Sequence, residues 1–163
     1  MIKFLAMDVD GTLTDGKIYM GENGELFKAF DIKDGCGIKD LLPRKDIIPV
    51  IITARKSRIL ENRCRELNIT HLYQGERNKI KVLKELVREY SSDDCTYTLS
   101  NVAYIGDDIL DLQCMIPVRE AGGLAACPAD AAEEVLAVSD YVCSREGGRG
   151  AVREFIEYLL KRE

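Results

Sequence analysis

The stretch FLAMDVDGTLTDG, residues 4–16, brings two carboxylates to the end of an apolar run. The residues before Asp8 are typical of a strand buried on both faces, as in a parallel sheet. Side chains alternate along a strand, so Asp8 and Asp10 would face the same way if the strand continued. Gly11 allows a sharp turn immediately afterwards. Because the carboxyl ends of parallel strands face the ligand crevice of an α/β fold, the stretch predicts a site there.

Other apolar runs in the chain also lack alternation, and helical patterns separate them. Residues 79–90 and 151–160 each repeat apolar side chains on one helical face. Asp130 with Glu133 predicts a capped start for a further helix. Alternating strands and helices from residue 36 onward favour an α/β fold, a three-layer, doubly wound (Rossmann-like) parallel sheet. The predicted strands cover residues 2–7, 48–52, 71–74, 102–105, 124–127 and 140–143.

Length and charge restrict the classes of protein that this chain can belong to. Its 163 residues suffice for one domain with a sizeable core. The net charge of −5 and the pI of about 5.1 argue against nucleic-acid binding, which requires a basic face. No apolar run approaches the roughly 18 residues that a membrane span needs, so no membrane partner is expected.

The six cysteines indicate neither a zinc site nor a disulfide framework. No two of them are closer than 13 residues, which excludes the C-x-x-C spacing of zinc ligands. The chain starts at Met1 without a signal-peptide pattern, so we expect buried free thiols in a reducing cytoplasm. They are Cys36, Cys64, Cys95, Cys114, Cys127 and Cys143.

Residues 17–31 (KIYMGENGELFKAFD) interrupt the α/β rhythm. Two β-rich segments flank GENG, which predicts a hairpin with a glycine-containing loop. Apolar side chains lie on both faces, and a lone two-stranded hairpin cannot hide both of them. The hairpin either folds back onto its own domain or packs against other subunits, and we favour the second interpretation.

A second acidic cluster follows another predicted strand. In VAYIGDDILDL, Asp107, Asp108 and Asp111 come after Gly106. Either cluster alone can be explained by a turn or by an acidic helix start. Two clusters at the ends of two buried strands instead favour a site for a hard cation. Oxygen ligands without paired His or Cys indicate Mg²⁺.

Two further features fit a site for an anion such as phosphate. VIITARKS ends a predicted strand at Thr53, whose hydroxyl can donate a hydrogen bond together with the N–H groups of Ala54 and Arg55. Lys79, at the start of a predicted helix, supplies a compact positive charge. Taken alone, such a threonine is usually structural and such a lysine is usually a solvated surface charge. The two carboxylate clusters favour the functional interpretation of both.

The order of these motifs resembles the haloacid dehalogenase superfamily of phosphohydrolases: D-x-D-G-T, a Thr after an apolar strand, a Lys, then G-D-D-x-x-D. In more detail, the chain is similar to the small, cap-less phosphatases of 3-deoxy-D-manno-octulosonate 8-phosphate. The likeness covers essentially the whole chain and includes KDGCGIK, ITARKS and the tail GGRGAVREF at 147–155. It implies one hydrolase domain over residues 1–163, with a flap at about 17–31, a tail at about 145–163 and no large cap domain.

The resemblance implies a Mg²⁺-dependent phosphomonoester hydrolase that acts on a small sugar-acid phosphate through an aspartyl-phosphate. Asp8 would be the nucleophile, and Asp10 the general acid and then the base for water. Mg²⁺ would be held by Asp8, by the backbone carbonyl of Asp10 and by Asp107. Thr53 and Lys79 would hold the phosphoryl oxygens.

The resemblance also implies supporting groups and an assembly. Asp108 and Asp111 would support the metal shell and orient Lys79. In such relatives the hairpins form a barrel within a homotetramer, and the glycine-rich tail approaches a neighbouring active site. Arg149 would either meet a substrate carboxylate or brace the subunit interface, and both interpretations stay open. For Arg153 we favour bracing.

Three positions depart from the family's pattern or bear on its substrate. Ala54 stands where relatives often have Gly, and Asn78 precedes the lysine where they often have Asp. Arg55 favours the eight-carbon substrate, because relatives that act on nine-carbon keto acids tend to carry Glu there. A phosphatase of a nine-carbon keto-acid 9-phosphate is the alternative.

Two other classes of protein use similar residues. Phosphoacceptor receiver domains combine an acidic cluster, a Thr and a Lys, but their phosphorylated Asp lies on a middle strand and they lack a second G-D-D. A non-catalytic oligomerisation module related to nucleotide-sugar synthetases can lose its phosphatase residues, whereas all the motifs are intact here. Turnover of a phosphate ester with Mg²⁺ separates a phosphatase from both.

Overall fold

A parallel sheet forms the centre of the structure, a computed structural model that describes residues 1–162. The strands of the molecule are β1 (Phe4–Met7), β2 (Tyr19–Gly21), β3 (Gly24–Phe27), β4 (Ile48–Thr53), β5 (His71–Gln74), β6 (Val102–Ile105), β7 (Leu124–Cys127) and β8 (Tyr141–Val142). Six of them form one sheet in the order β5-β4-β1-β6-β7-β8, with parallel neighbours throughout. The strands that follow β1 in sequence are first added on one side of it (β4, β5) and then on the other (β6, β7, β8). At such a switch point an α/β sheet forms a ligand crevice.

Helices cover both faces of this sheet. They are α1 (Ile32–Cys36), α2 (Arg58–Glu66), α3 (Lys79–Glu89), α4 (Leu112–Glu120), α5 (Glu133–Val138) and α6 (Ala151–Lys161). The three-layer, doubly wound α/β fold that the sequence predicts is confirmed. None of the helices within residues 1–162 has the length and apolar character needed to cross a membrane.

The core has two halves, because the side chains of the central strand alternate between the two faces of the sheet. Phe4 and Ala6 of β1 pack with α3 and α4 on one face, whereas Leu5 and Met7 pack with α6 on the other. All four side chains are fully buried. A strand buried in this way has no polar side chains until it ends, which is why the first carboxylate of the chain marks the edge of the sheet.

Side-chain caps fix the starts of two helices that border the site. Ser57 precedes α2, and its hydroxyl accepts a hydrogen bond from the N–H of Leu60. The start of α6 is instead capped from a distance by Asp34 of α1, whose Oδ1 accepts from the N–H of Arg153 at 2.8 Å. Because Asp34 follows the hairpin in sequence and Arg153 lies in the tail, this bond connects the tail to the segment after the hairpin.

The predicted hairpin is confirmed as a separate sheet of two antiparallel strands, β2 and β3. Tyr19 and Phe27 stack across it with ring centroids 4.3 Å apart. Much of its remaining apolar surface is exposed, including Met20 and Leu26 at 61% and 63%. The hairpin therefore folds back onto its own domain only in part.

One predicted capping pair is wrong. Glu133 does begin α5, but the position before it is Ala132, which provides no side-chain cap. Asp130 instead accepts a hydrogen bond of 2.9 Å from the N–H of Gly147 in the tail. A distant backbone donor thus replaces the local donors that the sequence pattern suggests.

The expectation of buried thiols holds for four of the six cysteines. All six are free, but Cys36 and Cys95 are exposed. Cys36 lies at the end of a short surface helix, and Cys95 lies in the polar connector of residues 91–101. Neither position lies on a buried strand or on the inner face of a long helix, so neither thiol is covered.

Candidate active site

The candidate active site lies at the carboxyl ends of β1, β4 and β6. Asp8 directly follows β1, Asp107 comes two residues after β6, and Thr53 is the last residue of β4. The sheet register aligns Met7 with Ile105, and the N–H of Asp8 donates to the carbonyl of Ile105 at 3.1 Å. Because parallel strands end at the same edge, motifs far apart in sequence meet there.

Lys79 joins the two acidic clusters. It begins α3 and is only 1% exposed, so it is not the solvated surface charge of the alternative interpretation. Its Nζ donates to Oδ1 of Asp8 at 2.9 Å and to Oδ1 of Asp111 at 2.7 Å. Burial lowers the pKa of Lys79, but the charges of Asp8 and Asp111 outweigh burial and hold that pKa above its ordinary value. The ammonium is therefore a fixed positive charge beside Asp8.

Asp111 organises the second acidic cluster through four donors. Besides Lys79, the hydroxyl of Tyr104 donates to its Oδ1 at 2.7 Å. The N–H groups of Asp107 and Asp108 donate to its Oδ2 at 3.0 and 3.2 Å. Both oxygens of this buried carboxylate are thus engaged, which suits Asp111 to orienting Lys79.

The other two carboxylates of the site, Asp8 and Asp107, lie close together without enough positive charge nearby to balance both. Burial raises the pKa of Asp8 to about 6, with a further rise from Asp111 and an opposing effect from Lys79. Burial, followed by the charge of Asp8, raises the pKa of Asp107 to about 8. Carboxyl groups whose pKa values are raised by burial and by the charges of neighbouring carboxylates indicate an arrangement that an additional cation would stabilise.

Backbone geometry brings Asp107 against the first motif. Gly11 has a φ of +94°, and a Cβ on it would lie 1.9 Å from Oδ2 of Asp107. The hydroxyl of Thr12 donates to Oδ1 of Asp107 at 2.9 Å. The D-x-D-G-T stretch thus needs both its glycine and its threonine to receive the second cluster.

The donor set fits a hard divalent cation. Asp8, Asp107 and Asp111 each offer a carboxylate oxygen, and these oxygens lie within 4.8 Å of one another. Of the three carboxylates, Asp111 accepts the most hydrogen bonds from the protein. Carboxylate oxygens without nitrogen or sulfur ligands match the preference of Mg²⁺.

The side chain of Asp10 turns to different partners from those of Asp8. Its Oδ1 accepts from Nζ of Lys28 at 2.6 Å, and its Oδ2 lies 3.8 Å from Nε of Arg55. Glu25 contacts the same two cations, at 3.1 Å from Lys28 and 3.6 Å from Arg55. Because β1 ends at Met7, strand alternation no longer governs the direction of the second aspartate.

The predicted phosphate-binding residues lie around the end of β4. Thr53 is buried, and its carbonyl accepts from the N–H of Glu76 at 3.0 Å. Ala54 and Arg55 follow in the loop that leads to the start of α2. The loop is open at Arg55, whose side chain is 44% exposed.

Two predicted site residues lie apart from the carboxylate cluster. Asp108 is exposed, and its side chain caps a short 3₁₀ turn by accepting from the N–H of Ile109. Arg149 is exposed as well, and its ion pair within the described chain is with Glu146 at 3.6 Å. Arg149 also lies near Asp15, where its charge contributes to a lowered pKa of that carboxyl behind hydrogen bonds from Tyr19 and Lys17.

The glycine-rich tail packs on the first motif of its own chain. The N–H of Gly148 donates to the carbonyl of Thr12 at 3.2 Å. A Cβ on Gly147 would lie 1.9 Å from the carbonyl oxygen of Gly11, so only glycine permits this approach. Arg153, for which bracing of a subunit interface is predicted, bonds within its own chain to Glu157 at 2.6 Å and to the carbonyl of Lys33.

Four contributors to the site were not singled out from the sequence. Thr12 lies in the recognised D-x-D-G-T stretch, but its partner Asp107 is distant in sequence. Tyr104 stands in an apolar strand, where a tyrosine is usually a core residue. Glu25 and Lys28 belong to the hairpin, and the signal there is a lysine placed between two phenylalanines.

Comparison with known proteins gives several strong matches, although no model of a protein family matches the chain. The 3-deoxy-D-manno-octulosonate 8-phosphate phosphatase of Escherichia coli strain K12 is 46% identical over 159 residues, which are 98% of this chain and 79% of the relative. The Yersinia pestis enzyme of the same name is 43% identical, over 98% of this chain and 80% of the relative.

Solved structures agree with this similarity. The crystal structure of the phosphatase from Moraxella catarrhalis, in complex with magnesium ion, phosphate ion and a KDO molecule, has a TM-score of 0.88 and 42% identity. The match covers 98% of this chain and 86% of that one. The Yersinia pestis crystal structure has a TM-score of 0.86 and 44% identity, over 98% of this chain and 80% of that one.

Proposed function

The chain belongs to the family of 3-deoxy-D-manno-octulosonate 8-phosphate phosphatases, and on this premise we propose that it hydrolyses that ester to the sugar acid and phosphate. The observation that carries this proposal is the buried ammonium of Lys79 between Asp8 and Asp111. A carboxylate that attacks a phosphate dianion meets strong repulsion, and a fixed positive charge beside that carboxylate offsets it.

Mg²⁺ is the cofactor that this donor set supports. The carboxylates of Asp8 and Asp107 would hold it together with the backbone carbonyl of Asp10, while Asp111 accepts from the N–H groups of Asp107 and Asp108 and so supports their loop. When bound, Mg²⁺ would supply additional positive charge for stabilising the phosphoryl group during transfer. The Moraxella catarrhalis relative was crystallised with this metal.

In the first half of the reaction Asp8 is the nucleophile. One of its carboxylate oxygens forms a bond to phosphorus, and the bond from phosphorus to the terminal sugar oxygen breaks. Asp10 donates a proton to that oxygen as it leaves. Lys79 and Thr53, together with the N–H groups that follow Thr53, hold the phosphoryl oxygens.

In the second half, water hydrolyses the aspartyl-phosphate. The water oxygen bonds to phosphorus, and the bond to the Asp8 oxygen breaks with its electron pair returning to the carboxylate. Asp10 takes the proton of the water, so the same residue serves as acid and then as base. Two easier steps thereby replace one difficult displacement.

The choice of substrate depends on groups around the mouth of the site. Arg55 is partly exposed and lies next to Asp10, which supports a role for its positive charge in meeting an entering sugar acid. Arg149, on the exposed tail, is a second candidate for a substrate carboxylate. The test is a panel of eight-carbon and nine-carbon sugar-acid phosphates compared by kcat/KM. If kcat/KM is higher for a nine-carbon ester than for the eight-carbon esters, the eight-carbon assignment is wrong.

The nucleophile assignment is tested by Asp8→Asn. We expect a loss of turnover of at least about 10⁴-fold, with the circular dichroism spectrum and the oligomeric state unchanged. The exposed Asp40→Asn variant is the control and should keep normal turnover. Normal turnover of Asp8→Asn would identify the chain as something other than an aspartyl-phosphate enzyme. Absence of turnover in the wild-type protein with Mg²⁺ would favour the non-catalytic oligomerisation module instead.

A homotetramer in the cytoplasm completes the proposed function. The exposed apolar side chains of the hairpin form a patch that a neighbouring subunit would cover. A site without a large cap domain gains from such a neighbour the walls that its own chain lacks. The six free cysteines suit a reducing compartment.

A further inference from the structure

A group of four charges connects the hairpin to Asp10. Lys28, one residue after β3, places its Nζ 2.6 Å from Oδ1 of Asp10 and 3.1 Å from Oε2 of Glu25. Arg55 faces the same two carboxylates from the loop after β4, at 3.8 and 3.6 Å. Two cations thus match two anions, and we call these residues the flap quartet.

The two cations of the flap quartet differ in how firmly they are held. The side chain of Lys28 is 4% exposed, whereas that of Arg55 is 44% exposed. A buried ammonium that donates to a carboxylate is restricted in position, because leaving the pair would strand both charges away from water. Lys28 therefore fixes one oxygen of Asp10, while the more exposed and more distant Arg55 is accessible to a ligand.

Glu25 anchors Lys28 to the body of the fold. Its Oε1 accepts from the hydroxyl of Ser57 at 2.6 Å, and Ser57 is the residue that caps α2. The N–H of Ser57 in turn donates to the side chain of Gln74, at the end of β5. Lys28 is thus held between Asp10 on one side and a carboxylate attached to the core on the other.

We infer that Lys28 is a positioning residue for the hydrolytic half of the reaction. It holds the carboxylate of Asp10 in the orientation in which that group takes a proton from the water that attacks the aspartyl-phosphate on Asp8. This inference rests on the proposed function. Lys28 forms no bond to substrate in this role, so with an ester whose leaving group needs no proton its effect is confined to the step that needs Asp10 as a base.

An aryl phosphate such as p-nitrophenyl phosphate isolates this step, because its leaving group departs without a proton from Asp10. In Lys28→Met we expect kcat for this ester to fall about 10- to 100-fold. KM should fall in parallel, so that kcat/KM stays within about threefold of wild type. Rapid mixing should show a burst of nitrophenol of one equivalent per site before the slow steady state.

Three variants make the test specific. Asp10→Asn should show the same burst with a larger loss of kcat. Lys28→Arg keeps the positive charge and should recover part of kcat. Lys17→Met removes an exposed lysine at the other end of the hairpin and should behave as wild type. Should Lys28→Met fail to fold, Glu25→Gln frees Lys28 from its second carboxylate and should give the burst with a smaller loss of kcat.

The possible failures are distinguishable. A normal kcat in Lys28→Met would overturn the positioning role, and so would equal losses in kcat and kcat/KM without a burst. If Asp10→Asn still gives a burst, the proposed function stays intact in both cases. If Asp10→Asn itself gives neither a burst nor a loss of kcat, the assignment of Asp10 as the base is wrong, whatever Lys28 does. A lowered melting temperature with unchanged kinetics would make Lys28 a structural residue only.

Discussion

The hydroxyl of Thr12 donates a hydrogen bond of 2.9 Å to Oδ1 of Asp107. This bond ties the loop after β1 to the loop after β6, although the two residues are far apart in sequence. It holds a carboxylate of the second cluster next to the first cluster through protein contacts alone. The orientation of Asp107, a proposed metal ligand, is therefore set by a neighbour outside the proposed ligand set.

Thr12→Val should weaken metal binding without removing a ligand. Valine has the shape of threonine but cannot donate, so Asp107 would lose its partner and rotate more freely. We expect the Mg²⁺ concentration for half-maximal activity to rise about 10- to 100-fold. Thr12→Ser keeps the hydroxyl and should remain near wild type. Equal Mg²⁺ requirements in Thr12→Val and wild type would show that this bond does not orient the ligand.

The stability of the metal-free protein should fall as pH rises. Burial raises the pKa of Asp8 to about 6 and that of Asp107 to about 8, against 3.8 for an ordinary Asp. Between these limits the folded protein holds more protons than the unfolded chain, so the free energy of unfolding falls with rising pH. Thermal melting in chelator from pH 4.5 to 8.5 measures this effect.

Two additions separate the metal site from other titrating groups. Mg²⁺ should raise the melting temperature more at pH 8 than at pH 5, because it binds the ionised carboxylates. Asp107→Asn removes one of these acids and should flatten the metal-free profile. Burial also raises the pKa of Asp34 to about 6, and that contribution should persist in Asp107→Asn. A metal-free protein that becomes more stable toward pH 8 would contradict this account.

The cap that Asp34 provides to α6 should be measurable in stability. Asp34→Ala removes the acceptor for the N–H of Arg153. We expect a loss of about 1–2 kcal/mol in the free energy of unfolding, measured by denaturant titration. Asp34→Asn retains an oxygen acceptor and should lose less, and the exposed Asp40→Ala is the matched control. Equal stability of Asp34→Ala and wild type would show that α6 starts without this cap.

The hairpin surface should determine the assembly. Leu26 is 63% exposed on the hairpin, whereas Val142 is 47% exposed on an edge strand of the main sheet. Burying a new charge is costly, so Leu26→Asp should shift a tetramer toward monomers in light scattering. Val142→Asp, which changes an apolar surface residue elsewhere, should leave the assembly intact. If the wild-type protein is a monomer in solution, the exposed apolar side chains of the hairpin do not form a subunit interface.

The sequence predicted the elements that depend on local pattern. The apolar runs ending at Met7, Thr53 and Ile105 form strands, because unbroken runs of this length are buried in a parallel sheet. The hairpin around GENG follows from its glycines. A prediction from local pattern was wrong where a distant partner was available. Asp130 accepts a hydrogen bond from Gly147 and does not cap α5.

By itself, the sequence determined which chemical groups stand at the carboxyl ends of the strands, since parallel strands bring those ends to one edge. Only the tertiary structure decided how the groups are paired: Lys79 buried between Asp8 and Asp111, and Asp10 turned toward Lys28. The physical reason is that a side chain beyond the end of a strand is no longer directed by alternation. Its direction follows from the turn at Gly11 and from charges brought close by folding.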